Sequence, residues 1–217
     1  MGIPFIAISV IFITVILNLR SNRSMRTSED VRRAFWERER RANMTRKKSL
    51  QDLPYIRIPD DIPPDITAAL SGEAMDAMRS IGHLREDDAR IVNLTGYSNT
   101  DLKLEYGVAN INDLILYDTN YTTLVTALQS CGQALFDAAK YEDAARTLEF
   151  AAQTGTDITA TYRLLIDLYR TKLFLDPAAS TARIRSLETI AETLRTPNKD
   201  RILAMIREAS AKEEAPS

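Results

Sequence analysis

Residues 3 to 19 read IPFIAISVIFITVILNL, seventeen positions without one charge, and Arg20, Arg23 and Arg26 follow at once. No other feature limits the possible folds so strongly. A bilayer core about 30 Å thick takes roughly 20 apolar helical residues, with a lower end near 17, so the run just reaches a single span. A buried globular helix is the weaker reading, because a half-exposed helix needs a polar face and this one has Ser9 and Thr14 as interruptions, with Asn18 at its end. A cleaved signal peptide is the rival. Against it, Met1 and Gly2 place no basic residue ahead of the run, and RSNRSM after Leu19 offers no small-x-small cleavage site. The expectation is an uncleaved anchor over residues 1–19.

Lys and Arg within about 15 to 20 residues of a span mark its cytoplasmic side, and here they lie only after it. The expected topology is single-pass at the cell membrane, with the N-terminus out and the C-terminal domain cytoplasmic. A lone cysteine, Cys131, agrees, since it builds no internal disulfide. Four N-x-[ST] tripeptides, at Asn22, Asn43, Asn93 and Asn120, read as chance in a chain with nine Asn.

The net charge of −2 conceals a split: residues 20–48 hold 11 Lys or Arg against 4 Asp or Glu, a local +7, which leaves −9 for the rest. Basic charge beside a span is drawn to anionic headgroups by about 1 kcal/mol per residue, which explains its position without nucleic acid. No recognition motif or aromatic-basic interleaving accompanies it, so no nucleic-acid partner is expected.

Residues 20–65 form a juxtamembrane arm in two parts. TSEDVRRAFWERERRANMTRKK predicts a basic helix: Thr27 and Asp30 resemble a capping box, and Glu37 with Arg41 is a favourable i,i+4 pair. Val31, Ala34, Phe35, Arg38 and Ala42 share a stripe with Trp36 beside it, a narrow apolar face that suits the membrane surface or the folded domain. Arg20, Arg23, Arg26 and Trp36 are the candidate membrane-surface contacts. Then Pro54, Pro59, Pro63 and Pro64 enforce an extended, Pro-rich linker. Its Leu53, Tyr55, Ile56, Ile58 and Ile62 are too apolar for free solvent, so the linker should lie along a groove. A short strand over Tyr55–Ile58, paired with Arg90–Leu94, is the competing local reading.

From residue 66 to 210 the periodicity is helical. Residues 66–82 carry apolar positions at three and four spacings; Gly96, Ser98, Asn99 and Asp101 mark a turn and a helix start; Asn110–Tyr117 reads as one or two further turns; and a long helix should span Tyr121–Ala139. Helices follow at 161–172, 178–194 and 198–209, and residues 211–217 read as a disordered tail. The fold class is all-α.

LQSCGQALFDAAKYEDAARTLEFAAQ, residues 128–153, resembles a tetratricopeptide repeat. Leu128, Cys131, Gly132 and Leu135 follow the large, large, small, large pattern of that family's first helix; Tyr141 ends the turn; Ala144, Leu148 and Ala151 follow the second helix. Small residues at Gly132, Ala144 and Ala151 allow two antiparallel helices to approach closely. Some 33 residues on, TYRLLIDLYRTK aligns Leu164, Leu168 and Tyr169 with Cys131, Leu135 and Phe136, although Leu165 stands where Gly132 would. The resemblance implies a peptide-binding concave face lined by Gln129, Gln133, Phe136, Tyr162, Ile166 and Tyr169, without the family's basic carboxylate clamp. The Pro-rich arm or the C-terminal helix filling that face is the alternative. FWERERRANMTRKKSLQDLPYIRIP and IVNLTGYSNTDLKLEYG are in turn similar to strings in single-pass bacterial membrane proteins of uncharacterised activity, which implies the same layout and no chemistry.

With one His and one Cys the chain has little material for nucleophilic or metal chemistry. Cys131 falls at a packing position, His83 suits a helix C-terminus, and the acidic pairs Asp60-Asp61 and Asp87-Asp88 read as solvated charge or helix starts. The seven glycines form no phosphate loop or dinucleotide fingerprint. No enzyme and no cofactor are expected. What remains is a membrane-anchored adaptor that binds a protein or peptide, or alternatively a self-associating structural membrane component, a homo-oligomer.

Overall fold

The computed structural model describes residues 29–64, 72–86 and 89–214, with side chains described to residue 211. The helices are α1 (29–44), α2 (Gly72–Glu86), α3 (Asn99–Tyr106), α4 (Ile111–Asp137), α5 (Tyr141–Gln153), α6 (Thr159–Asp167), α7 (Pro177–Glu192) and α8 (Lys199–Glu214). A 3₁₀ turn precedes α4 at Val108–Asn110, and a π-helical turn, Leu168–Lys172, continues α6. Among the described residues there is no strand, so the all-α expectation holds. Also among them, no helix is long and apolar enough to cross a membrane. The run 3–19, Arg20, Arg23, Arg26 and the Thr27 cap all lie outside the described residues.

The chain divides into two compact units, Met1–Ser49 with Ser98–Ile111 and Leu50–Tyr97 with Asn112–Ser217. In the first, α1 stops at Met44 instead of continuing to Lys48. The Thr45 hydroxyl donates to the Arg41 carbonyl at 3.0 Å, satisfying one of the helix's free last-turn acceptors. Lys48 N–H instead donates to the Tyr106 carbonyl at 3.0 Å. α3 starts where the sequence places it: Ser98 is its N-cap, in a reciprocal capping box with Asp101. The same Asp101 pairs with Arg38, while Glu39 accepts from Thr100 and from Lys103, the latter at 3.4 Å. Hydrogen bonding by Thr100 holds the Glu39 carboxyl below its usual range, and hydrogen bonding by Ser98 does the same for Asp101.

The second unit has two apolar clusters. One joins Ala77 and Ile81 of α2, Ile91, the middle of α4 and Ala151, with Ile56, Ile58 and Ile62 packed against it. The Pro-rich arm therefore does lie along the folded helices. The competing strand does not form, because Ile56 N–H to the Ile91 carbonyl, 2.9 Å, is one bond and not a ladder. The other cluster joins the end of α4 to α5, α6, α7 and α8 around the fully buried Tyr162, Leu165, Leu168 and Ile184.

α4 corrects the expectation of two helices broken near Asp118-Thr119-Asn120; it is one helix of 27 residues. Its polar residues serve the segment beside it. Asp118 accepts from Leu94 N–H at 3.1 Å, the Asn120 amide donates to the Arg90 carbonyl at 3.0 Å, and the Thr119 hydroxyl returns to the Ile115 carbonyl at 2.8 Å. Asn93 is a structural residue as well, donating to Tyr121 Oη at 2.9 Å and the Thr154 carbonyl at 3.0 Å. α8 likewise runs on to Glu214, past the expected end at 209.

Candidate functional site

Of the six residues expected to line one concave face, three are buried, Gln129 and Phe136 are half-buried, and Gln133 is exposed. Tyr162, Ile166 and Tyr169 are buried in the second cluster, and Phe136 packs against it. Their polar atoms are engaged internally: the Tyr162 hydroxyl donates to the Thr156 carbonyl at 2.8 Å, and Tyr169 donates to Glu149 at 2.7 Å. Burial pushes both hydroxyls well above the ordinary tyrosine range. The Gln129 side chain accepts from Thr161 at 2.6 Å, and exposed Gln133 donates to Asp137 at 2.9 Å. Lys172 stands 5.8 Å from the Phe136 ring centre and 5.7 Å from Tyr141, covering that aromatic pair. Beside Ile166, α8 contributes Met205 and Ala209 to a small pocket of about 180 Å³. The spacing pattern identified packing positions, and helices α4 to α8 enclose Tyr162, Ile166 and Tyr169. Of the membrane-surface candidates, Trp36 is exposed on α1.

A cleft that the spacing did not single out opens instead beside the Pro-rich arm. It measures about 610 Å³ and is lined by Gln51, Tyr55, Arg57, Arg85 and Arg90 with an apolar floor of Ile56, Ile58, Leu84 and Ile91. Three guanidinium groups border it, and no Asp or Glu among the described residues does. Arg90 lies against two aromatic faces, 5.7 Å from the Tyr55 ring centre and 5.9 Å from Tyr117, and its Nη1 donates to Tyr117 Oη at 3.1 Å. That hydrogen bond raises the Arg90 pKa further, and burial raises that of Tyr55. The Tyr55 hydroxyl donates to the Leu50 carbonyl at 2.8 Å, so the ring is held from both ends.

Arg85 has a different role. Its Nη2 donates to the Pro59 and Ile62 carbonyls at 2.8 and 2.6 Å, clasping the arm to the end of α2, with Asp60 4.0 Å from its Nε. A guanidinium has five donors, so Arg57 and Arg90 keep N–H groups for a further acceptor. Arg90 also borders an adjoining cleft of about 590 Å³, where His83, Tyr117, Asn120 and Thr123 join it. Arg57 and Arg90 are far apart in sequence; the available signal was the proposed pairing of Tyr55–Ile58 with Arg90–Leu94, which brings them to one place.

Cys131 is buried on α4 with its thiol pushed up to about 11, the opposite of an activated nucleophile. No protein-family model, curated protein or solved structure matches the chain.

Proposed function

We propose that this chain is a membrane-tethered adaptor: residues 3–19 anchor it once, the rest faces the cytoplasm, and a tetratricopeptide-like helical unit presents the arginine-bordered cleft to an acidic segment of a protein partner. The observation that carries the reading is the composition of that cleft, which has Arg57 and Arg90 at its border, an apolar floor, and no carboxylate among the described residues lining it. Arginine suits this role because its planar fork meets a carboxylate in two parallel hydrogen bonds. The close approach of α4 and α5 at Gly132 is the feature that best supports the repeat-like description. The reading is one of binding, not of catalysis.

The test uses the full chain in detergent micelles and a fluorescent hexaglutamate peptide followed by anisotropy. Binding that weakens with salt, and falls about tenfold in Arg57→Gln combined with Arg90→Gln, supports the proposal; tenfold is about 1.4 kcal/mol. Equal binding by the double variant removes the cleft from it. Protease access to the C-terminal unit in intact against opened cells tests the topology separately.

A further inference from the structure

Among the described residues, the ion pairs that α1 makes with α3 come from its second half. Its second half carries Arg38 and Glu39 against α3 and buries Ala42 completely. Its first half leaves Val31, Phe35 and Trp36 exposed at 65%, 53% and 61%. Phe35 and Trp36 stack edge to face with ring centres 5.5 Å apart, forming one continuous aromatic surface. Arg32, Arg33, Arg40 and Arg41 are exposed around it, together with the acidic Glu29, Asp30 and Glu37.

We infer that the first half of α1 is a lipid-docking face, on which Val31, Phe35 and Trp36 enter the interfacial layer of an anionic membrane while Arg32, Arg33 and Arg40 meet its headgroups. The proposal rests on the anchor reading, because only residues 20–30 separate Leu19 from Val31, a tether of at most about 40 Å when fully extended. Charge selects the occupant: residues 20–48, which include this helix and its aromatic face, carry a net +7 and are matched by an anionic lipid surface. Amphipathic aromatic rings settle at the headgroup level of a bilayer. The second half of α1 keeps its contacts to α3 throughout.

Trp36 is the sole tryptophan of the chain, so its fluorescence reports on this face alone. The full chain is reconstituted into vesicles of phosphatidylcholine, or of phosphatidylcholine mixed with phosphatidylglycerol, and floated on a density gradient. The expected result in the mixed vesicles is a blue-shifted emission, loss of iodide quenching and quenching by lipids spin-labelled near the headgroup. A combined Arg32→Gln, Arg33→Gln and Arg40→Gln variant should still float but lose the dependence on phosphatidylglycerol. Flotation with Trp36 open to iodide overturns the docking and leaves the anchor standing. Shielding from iodide without quenching by labelled lipid also overturns it, since protein then covers the face. Failure to float overturns the anchor and the docking together.

Discussion

Leu148 of α5 occupies the space that a side chain at Gly132 of α4 would need. A Cβ built on Gly132 would lie 2.4 Å from Leu148 Cδ2 and 2.5 Å from its Cγ, and Leu148 is fully buried. Gly132→Ala should therefore destabilise the second unit by about 1–3 kcal/mol, although alanine favours a helix over glycine by about 1 kcal/mol. In denaturant unfolding, the Gly132→Ala, Leu148→Ala double variant should lose less stability than the sum of the single changes, because the smaller residue 148 admits the new methyl.

Ala139 holds the left-handed conformation at the end of α4, φ 58°, where Lys140 N–H closes on the Leu135 carbonyl at 2.9 Å. A Cβ is disfavoured there, and glycine is the usual residue after a helix end. Ala139→Gly should stabilise by about 0.5–1 kcal/mol, read as a higher melting temperature of the full chain.

Gly107, φ 89°, passes close to the first unit's own backbone: a Cβ would meet the Arg46 carbonyl oxygen at 2.3 Å. Neither the φ nor the contact tolerates a side chain. Gly107→Ala should cost roughly 2 kcal/mol or more locally. Amide exchange should show it as lost protection at Lys48, whose N–H bonds Tyr106, and at Leu102.

Alkali should loosen the second unit. Burial lifts the Cys131 thiol from 9.0 to about 11, so the folded chain holds this proton more tightly than the unfolded chain. Its contribution is intact below pH 9 and is lost as the pH rises from about 9 to about 11. Buried Tyr121, Tyr162 and Tyr169, all raised by burial, extend the loss to still higher pH. Melting temperature should fall across this range, and Cys131 should react with thiol reagents only as the fold opens.

Acid should act on the first unit. Glu39 and Asp101 are held below their ordinary values by Thr100 and Ser98, so their contribution is present above those values and lost as the pH falls through the lowered ones. The amides of Lys48 and Leu102 should exchange faster in acid than the neutral-pH trend predicts, and Glu39→Gln should blunt that change.

Features carried by short spacings were legible in the chain. The Ser98 capping box, the small residue at Gly132 and the helical period from residue 72 onward each depend on neighbours within a few positions. The candidate cleft was not legible, because Arg57, Arg85 and Arg90 acquire a common border only when the Pro-rich arm lies beside α2 and residues 89–91.

The sequence by itself determined an all-α chain, its charge split and the points where most helices begin, since backbone hydrogen bonding and apolar period are local. Tertiary structure alone decided that α4 continues through Asp118 and Asn120, whose polar groups found partners at Leu94 and Arg90. It decided too that Tyr162, Ile166 and Tyr169 are buried in a core cluster. An apolar stripe states that a surface must leave water; which surface covers it is set by helices distant in sequence.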